Sequence, residues 1–220
     1  MRIIGLTGSI GMGKTTVAAA LRRMKIPVHD ADAAVHRLSA RGGAAVEAVE
    51  AAFPGVVKDG AIDRQELGRR VFRDPAALAR LEAILHPLVR QATRRFIARN
   101  RAMRRKLVVL DVPLLFETGG DVGCDAVIVV SAPRFVQLSR VLGRPGMTPE
   151  RLAGIEARQM PDREKRRRAD FVVPTGLDRR TALRAIRRAV KLVAESKRRR
   201  RPKPVCVRLS WTPRRPASIR

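Results

Sequence analysis

Near its N-terminus the chain reads Gly8-Ser9-Ile10-Gly11-Met12-Gly13-Lys14-Thr15, which matches the pattern G-x-x-x-x-G-K-[ST] at every position. The apolar run Ile3-Ile4-Gly5-Leu6 precedes it and is typical of a buried strand. Residues 16–24 follow it with apolar side chains at helical spacing. A strand, a glycine-rich loop and a helix in this order predict a loop that binds nucleotide phosphates.

The residue types of this loop fit that chemistry. Glycines let backbone N–H groups curve around phosphate oxygens without Cβ clashes, and the helix N-terminus adds its dipole to the same anion. Lys14 is expected to reach the β- and γ-phosphates, and the Thr15 hydroxyl to hold Mg²⁺. A simple glycine turn is the alternative, but it explains neither the lysine nor the hydroxyl. The expected ATP-binding residues are Gly8, Gly11, Met12, Gly13, Lys14, Thr15 and Thr16.

Length and composition favour one globular domain. The chain has 220 residues and a hydrophobic fraction of 45%, which is enough for a full core. The sequence has no apolar run of about 18 residues, so no membrane span is predicted, and no signal-peptide region is expected before the first strand. Cys124 and Cys206 lack metal-ligand spacing and are not expected to form a disulfide, which fits a reducing cytoplasm.

The formal net charge is +27. Such an excess favours an anionic partner such as nucleic acid or polyphosphate ligands, or else a solvated basic surface. Residues 197–220 contain ten basic residues, no acidic residue and several prolines. This composition predicts a disordered basic tail that binds nucleic acid without sequence specificity.

Short apolar strands alternate with helices along the chain, which predicts an α/β fold of the P-loop type. A parallel five-stranded sheet is expected, with helices on both faces. The expected strands cover residues 3–6, 26–29, 106–113, 126–130 and 171–173. The expected helices cover residues 16–24, 33–53, 74–86, 88–104, 133–142, 148–159, 162–168 and 178–195. One helix is thus expected to end at His86-Pro87.

Acidic residues after two of the strands are candidates for the chemistry. Asp111 ends a buried strand, where a carboxylate can bind Mg²⁺ through a water molecule opposite Thr15, although a plain turn residue is the alternative. Asp32 follows the second strand, which we expect beside the first, so its carboxylate can accept the proton of an attacking hydroxyl. Asp30 is the alternative base, but it is better placed to cap the next helix.

Arginines in the last third of the chain form another group. Phosphoryl transfer needs positive charge on the migrating group and exclusion of water, and a mobile helical lid bearing arginines supplies both. Arg140 is the first choice as a catalytic residue, ahead of Arg144 and Arg158, since its helix leads into the expected lid at 140–165. The position of His86 directly before a proline favours a structural role for this residue.

Several segments, taken in order, resemble one family. They are Gly5–Thr15, Asp30-Ala31-Asp32, Leu85-His86-Pro87, Asp111–Glu117 (D-V-P-L-L-F-E), Cys124–Val130, Arg158-Gln159-Met160-Pro161 and Ala169–Val173 (A-D-F-V-V). The set closely resembles the bacterial dephospho-CoA kinase family over about residues 1–195. The P-loop is generic, whereas D-A-D, L-H-P, D-V-P-L-L-F-E and A-D-F-V-V are specific to that family.

The resemblance implies ATP-dependent phosphorylation of the ribose 3′-hydroxyl of dephospho-CoA, the last step of coenzyme A biosynthesis. It also implies three parts within residues 1–196: a nucleotide core, a helical substrate-binding region at about 33–104, and the lid. Asp32 matches the family's active-site acid. The implied acceptor pocket includes Thr7, Asp32, His86, Leu114 and Glu117.

Two other functions stay open from the residues alone. The net positive charge favours a nucleic-acid-binding P-loop NTPase. Against this alternative, the sequence shows no pattern typical of an aromatic and basic groove, and the charge concentrates in the tail. Another small-molecule kinase of the same fold is the second, although the long insertion at 33–104 favours an acceptor larger than a nucleoside. The chain also departs from the family at Val173-Pro174-Thr175-Gly176, where I-D-N-x-G is frequent.

Overall fold

The computed structural model describes residues 1–72 and 74–196, without the side chain of Phe72, so the predicted tail at 197–220 lies outside the described residues. In the described part the strands are β1 (Arg2–Thr7), β2 (Val28–Asp30), β3 (Val57–Lys58), β4 (Ala61–Ile62), β5 (Leu107–Asp111), β6 (Ala126–Ser131) and β7 (Phe171–Pro174). The α-helices there are α1 (Lys14–Arg23), α2 (Ala31–Ser39), α3 (Val46–Ala52), α4 (Arg64–Phe72), α5 (Pro75–Ala102), α6 (Arg134–Leu142), α7 (Pro149–Glu156), α8 (Asp162–Arg168) and α9 (Arg179–Glu195).

Five strands form a parallel sheet in the order β2-β5-β1-β6-β7, which confirms the predicted fold class. The expectation that the second strand lies beside the first is wrong, because β5 pairs with β1 and β2 pairs with β5. All five residues of β5 are buried, whereas β2 has three residues and only its middle one is buried. A strand that is apolar on both faces belongs inside a parallel sheet, and the short strand is left at the edge.

Helices cover both faces of this sheet. On one face, α1 and α9 pack with side chains such as Val17, Leu21 and Ile186 against the central strands. On the other face, Phe96 and Ile97 of α5 pack in a separate cluster under β5 and β6. The glycine loop therefore emerges from the middle of a sheet whose two faces are both covered.

The long insertion between β2 and β5 forms its own apolar cluster. Val49, Phe53, Leu67 and Leu81 are buried there, contributed by three helices and the chain just after α3. The predicted single helix at 33–53 is wrong, because α2 and α3 are separated by a turn. The antiparallel pair β3–β4 was not predicted, because each of its strands has only two residues.

Helix α5 runs without interruption from Pro75 to Ala102, so the predicted boundary at His86-Pro87 is wrong. Asp74 caps its first turn, since its Oδ1 accepts the backbone N–H groups of Ala76 and Ala77. Packing of the first half in the insertion cluster and of the second half under the sheet offsets the cost of an internal proline, about 3 kcal/mol. His86 therefore lies in the middle of a helix.

The later helices agree with their predicted positions to within a few residues. Within residues 1–72 and 74–196, no helix is both long and apolar enough to cross a membrane.

Candidate active site

The loop between β1 and α1 has the backbone that its glycines predict. Gly11 and Gly13 have backbone φ angles of 77° and 84°, in a region that residues other than glycine rarely adopt. At Gly8 a Cβ would lie 2.7 Å from the carbonyl oxygen of Val130, so β6 packs directly against the loop. No side chain caps the described N-terminus of α1 at Gly13. The backbone N–H groups of this helix end are therefore available to bind an anion.

Lys14 and Asp111 form an ion pair at the carboxyl edge of the parallel sheet, beside the glycine loop. Lys14 Nζ lies 2.5 Å from Asp111 Oδ1, and the carboxylate side chain is only 3% exposed. Burial raises the pKa of the Asp111 carboxyl, while the Lys14 ammonium acts in the opposite direction. The register of β5 beside β1 places the acid next to the loop lysine, as expected for an acid that ends this strand.

The donor set here fits Mg²⁺ held mainly by phosphates and water. In the described part of the chain, no group of three or more His, Cys, Asp or Glu side chains could hold a metal ion. Thr15 lies exposed in the first turn of α1, and Asp111 ends β5. A hydroxyl and a carboxylate are hard oxygen donors of the kind Mg²⁺ uses beside nucleotide phosphates.

Arg140 lies against the phosphate loop. Its Nη2 donates to the carbonyl oxygen of Thr175 at 2.7 Å, and its Nη1 lies 3.5 Å from the carbonyl oxygen of Gly11. Arg140 is itself exposed, as are Arg144 and Arg158. Its contacts with Gly11 and Thr175 place Arg140 beside the loop.

Thr175 is a site residue that sequence analysis missed. Its hydroxyl donates to the carbonyl oxygen of Met12 at 2.6 Å and is buried, so the residue after β7 holds the loop from the side. The only signal in the sequence was the departure from the frequent family pattern at this position.

The two acids after β2 have different surroundings. Asp30 caps α2, because its Oδ1 accepts the N–H of Ala33 at 3.0 Å, as predicted. Asp32 is exposed in the first turn of α2, and its carboxylate has no hydrogen-bond or ion-pair partner among the residues described. With β5 between them, β2 and β1 are about two strand spacings, or about 10 Å, apart, and Asp32 follows β2 in the first turn of α2.

The segment after β5 is anchored by polar contacts. The buried Thr7 hydroxyl donates to the carbonyl oxygen of Pro113 at 2.8 Å. Glu117 accepts the Met160 N–H at 2.7 Å and pairs with Lys165 at 2.9 Å. These contacts bring two of the predicted acceptor-pocket residues, Thr7 and Glu117, to one segment.

Lys165 was missed by sequence analysis. Its side chain is fully buried, and Nζ also donates to the carbonyl oxygen of Pro113 at 3.2 Å. Nothing in the sequence separates this lysine from the three arginines that follow it. Among the other predicted residues, Leu114 is half-buried, and His86 is exposed on α5 without a hydrogen-bond partner in the described chain.

A parallel sheet in this order, a glycine loop with a paired lysine and carboxylate, and an arginine docked on that loop define a P-loop kinase. The family model for dephospho-CoA kinase matches residues 2–177. The chain belongs to this family, which catalyses the last step of coenzyme A biosynthesis by ATP-dependent phosphorylation of dephospho-CoA.

Similar proteins agree with this assignment. The chain is 68% identical over 166 residues to a dephospho-CoA kinase of Paramagnetospirillum magneticum, covering 76% of this chain and 78% of that one. It is 60% identical over 199 residues to one of Rhodospirillum rubrum, covering 90% and 94%. A solved Thermus thermophilus structure has a TM-score of 0.78 at 39% identity, covering 89% and 98%. The predicted family and activity are confirmed.

Proposed function

We propose that the γ-phosphoryl group of ATP is transferred to the ribose 3′-hydroxyl of dephospho-CoA between Lys14 and Asp32. The placement of Asp32 beyond β2, with β5 between it and the loop strand, carries this proposal. The separation of about 10 Å between β2 and β1 leaves room beyond the ends of these strands for a phosphoryl group and a ribose hydroxyl. The exposed and unpartnered carboxylate of Asp32 supports its role as the base that accepts the hydroxyl proton.

On the nucleotide side, Lys14 exchanges Asp111 for the β- and γ-phosphates when ATP binds. The N-terminus of α1 and the glycine-loop N–H groups bind the phosphate oxygens, and Arg140 supplies a further positive charge at the loop. Thr15 and the released Asp111 would hold Mg²⁺, which supplies neutralisation of phosphate charge.

On the acceptor side, Thr7, Leu114 and Glu117 form one wall through the segment after β5, and His86 contacts the acceptor from α5. The insertion between β2 and β5 provides the second wall as the substrate-binding region. This region has its own apolar cluster, so it forms a folded wall of its own beside the sheet.

Transfer from labelled ATP to a panel of acceptors tests this proposal. We expect label in dephospho-CoA, with the product identical to coenzyme A, and none in nucleosides or small sugar acids. Asp32→Asn should retain affinity for an ATP analogue and lose transfer. Undiminished transfer by Asp32→Asn, or transfer to nucleosides at equal rates, would contradict the proposal.

A second candidate function is non-specific nucleic-acid binding through the tail at 197–220 and the outer face of α9. Residues 180, 184, 187, 188 and 191 are all basic and exposed, and their spacing places them on one face about 16 Å long. The opposite face of α9, with Ile186 and Val193, is buried in the core, which leaves no apolar face for a membrane.

Duplex binding measured at about 50 and 200 mM salt tests this candidate. We expect deletion of 197–220 to weaken binding and to leave kinase activity within about twofold, and Arg184→Gln with Arg188→Gln to weaken it further. Binding that is insensitive to both changes would contradict the assignment. Equal binding to vesicles with anionic headgroups would favour a general polyanion surface instead.

We also propose a cytoplasmic, reducing location. Cys124 is buried, and its thiol donates to the carbonyl oxygen of Gly120 at 3.6 Å, while Cys206 lies outside the described residues. Identical thermal midpoints with and without a reductant are expected.

A further inference from the structure

Both backbone groups of Ile10, inside the phosphate loop, are bound by glutamine side chains from distant elements. The N–H of Ile10 donates to Gln159 Oε1 at 3.1 Å. Its carbonyl oxygen accepts Gln137 Nε2 at 2.8 Å. One residue of the loop is therefore held from two sides, by α6 and by the chain after α7.

Gln137 is itself fixed by a charged network. It is only 3% exposed, and its Oε1 accepts Arg134 Nη1 at 2.7 Å. Its Nε2 also lies 3.2 Å from Glu156 Oε1, and Arg134 Nη2 donates to Glu156 Oε2 at 2.9 Å. The end of α7 is thus tied to α6 through the same side chain that holds the loop.

Residues 156–165, which we name the strap, reach the acceptor side as well. Directly after Gln159, the N–H of Met160 donates to Glu117 Oε1 at 2.7 Å. At the other end of the strap, the buried Lys165 holds both Glu117 and the carbonyl oxygen of Pro113. The strap therefore contacts the phosphate loop and the segment after β5 at the same time.

We propose that Gln159 and Gln137 are positioning residues that make the shape of the phosphate loop depend on a docked strap. A displaced strap leaves the N–H of Ile10 without an acceptor and releases Glu117, so the nucleotide and acceptor sides change together. The acceptor half of this coupling rests on the proposed function of the segment around Glu117. The loop half does not, because it rests on the contacts of Gln159 and Gln137 with Ile10.

The opposite roles of the two amides give a matched test in the full-length enzyme. Gln159 accepts a hydrogen bond, so Gln159→Glu keeps the contact and Gln159→Leu removes it. Gln137 donates, so Gln137→Glu loses the contact and places a second carboxylate beside Glu156. Glu195→Leu, at an exposed position at the end of α9, serves as the control.

We expect Gln159→Leu and Gln137→Glu to weaken binding of a non-hydrolysable ATP analogue about tenfold, and Gln159→Glu and the control to change it less than twofold. Amide exchange at Ile10 should accelerate in Gln159→Leu and not in Gln159→Glu. In the kinase assay, Gln159→Leu should also raise KM for dephospho-CoA.

Unchanged analogue affinity and unchanged Ile10 exchange in Gln159→Leu would overturn the proposal. Equal losses in Gln159→Leu and Gln159→Glu would also overturn it, because a merely structural role does not distinguish an acceptor from an apolar side chain. Should Gln159→Leu fail to fold, Gln159→Asn, which is one methylene shorter, takes its place with the same expectations. Analogue binding needs no acceptor, so these results are independent of the role of Asp32.

Discussion

The two sides of the proposed site at the carboxyl edge of the sheet are built differently. On the nucleotide side, Lys14 is paired with Asp111, Arg140 is bonded to Thr175, and the Thr175 hydroxyl is bonded to the loop. On the acceptor side, Asp32 and His86 are exposed and have no partners in the described chain. The nucleotide-side groups are therefore held in place by internal contacts, as are Thr7 and Glu117 on the proposed acceptor side, whereas Asp32 and His86 face solvent.

This difference separates two kinds of variant. A change on the nucleotide side removes both a ligand contact and an internal contact, so activity and stability should fall together. A change at Asp32 removes a carboxylate that makes no hydrogen bond or ion pair within the described residues, so activity should fall while most of the stability is kept.

The largest expected effect is at Asp32. Asp32→Asn is nearly isosteric but cannot accept the hydroxyl proton, so kcat should fall by about 10²–10⁴ with little change in ATP affinity or thermal midpoint. Asp30→Asn is the matched control, and it should be mild because asparagine also caps helices. Steady-state kinetics with both substrates checks this, and a larger loss in Asp30→Asn would identify the other acid as the base.

Lys14→Ala should lower kcat by about 10²–10³, because a charged contact to the transferring phosphoryl group is lost. It should also lower the free energy of unfolding at neutral pH, since the buried Asp111 carboxylate loses its partner and the pKa of Asp111 rises further above the usual range. Lys191→Ala, on the outer face of α9, is the control for loss of a lysine. Near-normal kcat in Lys14→Ala would contradict the assignment of the loop.

Amide exchange sharpens the comparison within the proposed lid at 140–165. Residues 143–151 are almost all exposed, whereas the strap is already bonded to Ile10 and Glu117. Binding of ATP and acceptor should slow exchange more at 143–151 than in the strap. Equal slowing along the whole segment would show that the strap, too, opens in the unliganded enzyme.

The smallest expected effect is a pH dependence at His29, which links β2 to α5. His29 lies 3.1 Å from the Thr93 hydroxyl and 5.1 Å from the Phe96 ring, and burial lowers its pKa below 6.5. The unfolded chain then binds the extra proton first, so stability should fall as pH drops below about 6.5. Urea unfolding of wild type and His29→Gln between pH 7.5 and 5.5 checks this, in about the range where histidine titrates. A wild-type slope that survives in His29→Gln would assign it to other groups.

Local signals predicted the nucleotide side well. The glycine spacing, the strand before it and the helix after it are features of neighbouring residues, and the structure places Gly11 and Gly13 at the positive φ that they permit. The acid at the end of β5 and the cap at Asp30 were predicted for the same reason. The helix boundary predicted at Pro87 is wrong, because the local cost of the proline is offset by packing of both halves of α5.

The sequence by itself determined the family, the phosphate loop and the parallel α/β class, because backbone torsions, helix ends and apolar periodicity act over a few residues. Only the tertiary structure decided that β5 separates β2 from β1, that α5 continues through Pro87, and that Lys165 is buried against Glu117. It also decided that the backbone N–H of Ile10 donates to Gln159, which is 149 residues away along the chain. Such pairings depend on which surfaces meet once both sheet faces are covered, and no local pattern encodes them.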